Sequence, residues 1–460
     1  MKKFIFSVCF VASSFILLAQ DIPAALKNDF TIEKANPATA VKNQGQTGTC
    51  WSFSTTSLLE SQLLKNSNSA INLSEMFTVR NIYLDKATNY VMRQGAAQLG
   101  EGGLGHNVIE AISKYGAVPE EAYSGLLANQ QEYDHSKLVG ELKTYLDSIL
   151  KHKPLAPQWQ NGVEQILDKN MGPAPAKFDF EGKEYTPKTF ASEVLKFKAS
   201  DYVNLTSFIH KPFYEPFIID IPDNFSNGSY YNIPMEELIK VTKEAIHNGY
   251  TVLWDADVSN TGFRQKKGLA LYIDPVKKVA ADSFKADMPE ADWNPSIRQR
   301  LFENLTTQDD HLMHITGMVK TKEGKELFTV KNSWGNIGPY NGFIEVSEPY
   351  FAINTISQRD ATQPIVNVYS WPGYVAADTL ANFEARYGIK VNYSLLDTNQ
   401  VLETRLLAGH SDYDVVVPGA AYVERLAKAG ALRRLDKSQL PNLRNLDPAV
   451  MAAEIGRAHV

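Results

Sequence analysis

The spacing of apolar residues changes period several times along the chain, and each change marks an element. After Met1-Lys2-Lys3 comes an uncharged apolar run from Phe4 to Leu18. Residues 51–64 lack Gly and Pro and carry Phe53, Leu59 and Leu63 near helical spacing, which predicts a helix. Residues 137–152 and 186–198 also read as helices, separated by breaks at Pro154, Pro157, Pro173, Pro175 and Pro187. Residues 235–248 predict an amphipathic helix and 250–257 a strand leading into Val258-Ser259-Asn260. Two apolar runs, through His311 to Met318 and Phe328 to Gly335, flank the turn Lys322-Glu323-Gly324-Lys325 and predict a hairpin. From Pro364 to Met451 the style changes to a β-α-β-α-β-α alternation, which points to a parallel sheet. Its strands lie near 365–371, 389–394 and 413–418, and its helices near 379–387, 399–408 and 421–429.

Composition narrows the class. Hydrophobic content of 44% and charged content of 21% describe an ordinary globular chain, and 460 residues exceed what one core usually serves. A formal charge of −6 leaves no basic footprint, so nucleic acid is not an expected partner. Two cysteines and nine scattered histidines supply no closely spaced metal-ligand set, and no Walker-type phosphate loop occurs. The first 19 residues have the positive, apolar and small-residue regions of a signal peptide. Their apolar run is shorter than the ~20 residues that span a bilayer, so export to a periplasmic or extracellular space is expected, with no stable membrane anchor.

Removing that leader removes Cys9 and leaves Cys50 alone. A single thiol cannot cross-link its own chain, so Cys50 is either a small buried hydrophobe or a reactive group. It sits at the start of the predicted 51–64 helix, after the loop glycines Gly45 and Gly48. Unpaired N–H groups at a helix start favour a thiolate, the attacking species. The hairpin places a histidine and an asparagine, His311 and Asn332, on adjacent strands. An imidazole that carries the thiol proton, oriented by a side-chain amide, completes nucleophilic machinery. His311 and His314 share one strand and alternate in face, so one of them can meet Cys50.

The run Gln44-Gly45-Gln46-Thr47-Gly48-Thr49-Cys50-Trp51, followed downstream by Asp310-His311 and Asn332-Ser333-Trp334-Gly335, resembles a papain-like cysteine peptidase. The resemblance runs from about residue 40 to 356. It implies an α+β fold of two lobes, one helical and one β-barrel-like, that acts on peptide substrates without a cofactor or metal. It implies Cys50 as nucleophile, His311 as base, Asn332 as its orienting partner and Gln44 as the oxyanion-hole side chain. Trp334 would shield the Asn–His hydrogen bond, and Gly102 and Gly103 would line the substrate backbone. Thr47 and Gly100 occupy the two positions where papain itself has a disulfide, so both halves are missing together.

The separation of Cys50 from His311 exceeds the ~130–150 residues of compact relatives by roughly 110. The surplus, about 124–231, is expected to be a largely helical insertion. Together with the lack of cysteine pairs it resembles the bleomycin hydrolase and aminopeptidase C branch. That resemblance implies aminopeptidase action on short peptides and ring-shaped homo-hexamers. In that branch the carboxyl tail enters the cleft and enforces exopeptidase cleavage, so the foreign style after residue 357 leaves exo- versus endopeptidase action open.

Residues 358–453 resemble the amino-terminal part of a periplasmic polyamine-binding protein, with Trp371 and Tyr374 matching its ligand-stacking aromatic loop. Pro372 and Gly373 depart from the usual polar loop, and only about the first quarter of such a receptor is represented. Residues 454–460 look like a translated sequencing adapter, so a chimera is expected; one continuous frame across codons 350 to 370 of the genomic locus would end that idea. Two other functions compete with a peptidase: a polyamine-binding module, and a catalytically dead papain-like fold used for interaction.

Overall fold

A computed structural model describes residues 23–67, 70–274, 279–361, 365–376, 378–387, 390–407 and 413–432. The expected leader, 1–19, and the adapter-like end, 454–460, lie outside the described residues. The chain divides into two compact units, 1–361 and 362–460.

In the first unit, helices α1 (Cys50–Ser67), α2 (Glu75–Met92) and α3 (Gly105–Tyr115) form the centre of a helical lobe. Helix α1 is the predicted one, but it is buried on nearly every face instead of on one stripe. It lies between the other helices and the sheet. Its apolar residues Trp51, Phe53, Leu58 and Leu59 join the helical core, each worth about 1.5–3 kcal/mol on burial. Its hydroxyls find partners across both neighbours: Ser52 donates to Glu75 O at 2.9 Å and Ser54 to Leu312 O at 2.6 Å. Helix α2 is capped by Ser74, whose side chain accepts from Phe77 N at 3.0 Å, worth about 1 kcal/mol.

The sheet side is built on β1 (Thr31–Ala35), β2 (Val252–Ala256), β3 (His311–Lys320), β4 (Glu326–Lys331), β5 (Phe343–Ser347) and β6 (Thr355–Ala361). Strands β3 and β4 form the predicted hairpin, with His314 opposite Lys331. The other edge of β3 is shared: residues 311–315 pair with β2 and residues 317–320 with β1. Side chains alternate as a strand requires. Leu312 enters the helical core, whereas Met313 and Ile315 enter a second core with Trp254, Phe328 and Phe351. The expected barrel-like lobe is an open eleven-stranded sheet with two ends.

The insertion differs from expectation. Helices at Leu138–Ile149 and Gln160–Met171 account for its first half. The predicted helix at 186–198 is a short turn at Pro187–Thr189 running into a π-helical turn at Phe190–Val194. Beyond it, strands Tyr202–Thr206, Pro216–Ile218 and Ser229–Asn232 extend the main sheet through β6, with Leu205 paired to Gln358. The first of them has its partner at the far end of the unit, so local periodicity carries no sign of it, and the other two pair with each other.

The second unit realises the β-α-β-α-β-α alternation. Its parallel strands Ile365–Ser370, Lys390–Leu395 and Val415–Val416 have the first strand in the middle. Helices Thr379–Tyr387, Asn399–Leu407 and Ala420–Lys428 follow them in turn.

Candidate active site

Cys50 is the first residue of α1, and the Thr49 carbonyl opens the helix by accepting Ser52 N at 2.9 Å. The preceding loop is fixed by hydroxyls. Thr47 Oγ1 donates to Gln44 O at 2.8 Å and meets Thr49 Oγ1 at 2.5 Å. Gly48 N donates to Glu101 Oε2 at 2.7 Å, and Trp51 Nε1 to Glu101 O at 3.0 Å. The 101–103 segment is thereby tied to the loop that carries the thiol. Gly103 lies against the Trp51 indole, where an added Cβ would sit 3.1 Å from the ring.

His311 opens β3, and its Nε2 donates to Asn332 Oδ1 at 2.8 Å. The direction of that bond is set from behind. Gln265 Nε2 donates to the backbone oxygens of Ile337 and Phe343, at 3.2 and 3.3 Å, so Gln265 Oε1 faces Asn332 and accepts its Nδ2 at 3.0 Å. Asn332 Oδ1 is left toward the ring and also accepts Ser333 N at 2.7 Å. With Nε2 carrying the hydrogen, Nδ1 is the basic nitrogen. The Trp334 indole stacks on the imidazole at 4.6 Å between centroids and 28° between planes, covering the Asn–His bond from one side. Gln265, in the turn Gln265–Lys267, has no periodic or motif signal in the sequence.

The helix that begins at Cys50 is tied to the residue after the histidine: Ser54 Oγ donates to Leu312 O at 2.6 Å, and the Leu312 N–H acts to lower the pKa of the Cys50 thiol. Gln44 joins from the other side. Its Nε2 donates one hydrogen to Thr47 O at 2.6 Å, and its Oε1 accepts Ser333 Oγ at 2.7 Å. The fold therefore gathers Cys50, His311, Asn332, Gln44 and Trp334, from residues far apart in sequence. His314 is held elsewhere, its Nδ1 2.9 Å from Ser57 Oγ in the middle of α1.

The expected thiolate is opposed by burial. Desolvation, with the charges of Asp223, Asp255 and Asp309 acting in the same direction, pushes the Cys50 thiol up to about 12, while the Leu312 N–H lowers it. Burial pushes the His311 imidazole down to about 4, against its hydrogen bond to Asn332. Burial thus disfavours the charged form of each of the two groups. Trp371 and Tyr374 belong to the second unit, where Tyr374 is 68% exposed and Trp371 half-buried.

A helix-borne thiol, a strand-borne imidazole and an amide behind it define the class of site used for nucleophilic acyl transfer. The chain belongs to the Peptidase C1-like family, whose model matches residues 14–356. It is similar to Aminopeptidase C of Listeria innocua, at 25% identity over 352 residues covering 67% of this chain and 77% of that protein. Aminopeptidase C of Streptococcus thermophilus is 23% identical, covering 78% and 86%. The fold is similar to the crystal structure of PepW from Lactobacillus rhamnosis HN001, with a TM-score of 0.58 at 18% identity, over 78% of this chain and 87% of that one. A 91-residue stretch is 48% identical to the putrescine-binding periplasmic protein PotF of Escherichia coli K12. The chain spans 25% of the length of that relative.

Proposed function

We propose that this protein is a thiol-dependent peptidase acting on short peptides, most economically as an aminopeptidase. The observation that carries the reading is the 2.8 Å hydrogen bond from His311 Nε2 to Asn332 Oδ1. Stacked under Trp334 and one residue from the Leu312 N–H that lowers the pKa of the Cys50 thiol, it leaves the basic face of the imidazole for the thiol. Similarity to two proteins named Aminopeptidase C supports the finer assignment.

In this reading His311 Nδ1 takes the thiol proton as the sulfur attacks the peptide carbonyl, so no standing thiolate is needed. The Cys50 N–H and the second hydrogen of Gln44 Nε2 receive the oxyanion. The imidazolium returns its proton to the leaving amine, and water then releases the acyl group with His311 as base. Gly102 and Gly103 line the substrate chain. Export of the protein rests on the expected leader, and a homo-hexamer on resemblance alone; cell fractionation and sedimentation test each. The function itself is tested by leucine–coumarylamide hydrolysis. Wild-type turnover that Cys50→Ala abolishes, with its melting temperature retained, supports it. Undiminished cleavage by Cys50→Ala overturns it.

A further inference from the structure

The segment read as the substrate wall carries Gly100, Gly102 and Gly103, and residues 98–104 form neither helix nor strand. Glycine gives up more conformational freedom on folding than any other residue, so such a wall needs support from outside itself. Its carbonyls supply the handle, because they are engaged from behind. Glu101 O accepts the Trp51 indole N–H at 3.0 Å. Gly100 O and Gly102 O both accept from the ammonium of Lys86, the first at 2.8 Å.

Lys86 stands on α2 and is 4% exposed. Its helix neighbours Ala87 and Tyr90 join the apolar core, whereas Lys86 turns its Nζ to the wall. A buried ammonium is stable only where donors and charge are answered, and charge-assisted bonds to carbonyls are roughly twice as strong as neutral ones. Burial brings the ammonium down to about 8, against the charges of Asp223 and Glu101.

The insertion supports the same segment from another side. The Phe225 ring lies 5.2 Å from Lys86 Nζ, and the Asp223 carboxylate rests against Gly102, so that any side chain at residue 102 would collide with it. The loop that carries both is firmly made. Asn224, itself buried, donates to Ile219 O at 3.0 Å and Gly228 O at 2.9 Å. Ser226 Oγ accepts Asn107 Nδ2 at 2.9 Å, next to the start of α3. Gly102 is thereby held between α2 and the insertion. Trp51, which bonds Glu101 and packs on Gly103, is the residue after Cys50, so a shift of the wall moves the substrate relative to the thiol.

Resting on the reading above that Gly102 and Gly103 line the substrate chain, we propose that Lys86 is a positioning residue for substrate binding: its ammonium, donating to the carbonyls of Gly100 and Gly102, holds the glycine wall in the shape that receives the peptide. Lys86 touches no reacting atom. Its effect falls on how firmly the substrate is held, not on the bond-making step.

The experiment uses the full chain. Lys86→Met keeps an unbranched stem and removes the donors, whereas Lys86→Arg keeps charge and donors. With leucine–coumarylamide, Lys86→Met is expected to raise KM about ten-fold and leave kcat within about two-fold, and Lys86→Arg to recover most of the loss. Alkylation of Cys50 by chloroacetamide, which carries no peptide chain, should keep the wild-type rate in both variants. An unchanged KM in Lys86→Met overturns the role. So does a loss shared equally by kcat and the chloroacetamide rate, which is what a merely structural lysine gives. Should Lys86→Met not fold, the wild type decides through pH. The rate of an uncharged N-acetylleucyl chloroacetamide is divided by that of chloroacetamide, so that thiol ionisation cancels. That ratio should fall as pH rises through about 8, where the ammonium loses its charge. A flat ratio across that range overturns the role. Failure of the peptidase reading looks different: turnover then persists in Cys50→Ala.

Discussion

The two units spend their polar residues in opposite ways. In the first, His311, Asn332 and Gln265 are 4%, 2% and 7% exposed, and each side-chain amide has its orientation dictated by a backbone group behind it. In the second, Tyr374 is 68% exposed, and among the described residues the buried core cluster is Tyr369, Leu396 and Leu402. Leu395 and Leu407, at 55% and 53%, face outward there as well. A β-α alternation is evidently enough to set element order and a parallel sheet. Holding a functional side chain in one place takes a packed hydrogen-bonding neighbour behind it, as Gln265 stands behind Asn332.

That contrast can be broken at several points. His311→Ala should cost the largest factor, on the order of 10⁴ in kcat, because nucleophile and base act as one unit. Steady-state kinetics with unchanged thermal melting checks it, and a loss below ten-fold would mean the base lies elsewhere. Gln265→Ala leaves every reacting atom in place but frees the Asn332 amide to turn, so a loss on the order of 10²-fold is expected. Restoration by Gln265→Glu, whose carboxylate still accepts from Asn332 Nδ2, would show that the accepted bond is what matters.

A subtler change sharpens the electrostatics. Since burial and three acids raise the Cys50 thiol and burial lowers His311, alkylation by uncharged iodoacetamide should be slow near pH 6 and climb steadily with pH. A plateau from pH 5 to 8 would mean a standing thiolate–imidazolium pair. Asp223→Asn removes one of the raising charges, so it should shift that climb toward lower pH. The smallest effects belong to the second unit. Calorimetry with putrescine should give no saturable micromolar heat, and Trp371→Ala should leave peptide turnover within error. Saturable binding would show that a small core suffices for a ligand site.

How much of this was legible depended on how local the cause was. Helix α1, the hairpin carrying His311 and Asn332, and the described elements of the second unit follow from periodicity and breakers within a few residues. The papain-like resemblance supplied Gln44, Trp334 and the glycine pair, which periodicity alone would not. The strand at 202–206 was hidden because its partner, β6, comes some 150 residues later; the strands at 216–218 and 229–232, which pair with each other, are only three and four residues long. Gln265 and Asp223 were hidden for the same reason: each matters only through a residue that folding brings beside it. His314 illustrates the reverse, a histidine in the right motif held by Ser57 deep against α1.

The central claim is that the Cys50 sulfur, deprotonated by His311, forms the bond to the peptide carbonyl. Titration with an epoxide thiol reagent, followed by peptide mass mapping, tests it directly. The account predicts that one equivalent, attached at Cys50, abolishes hydrolysis in proportion to labelling, and that His311→Ala labels far more slowly. Full hydrolysis by completely labelled protein would contradict it.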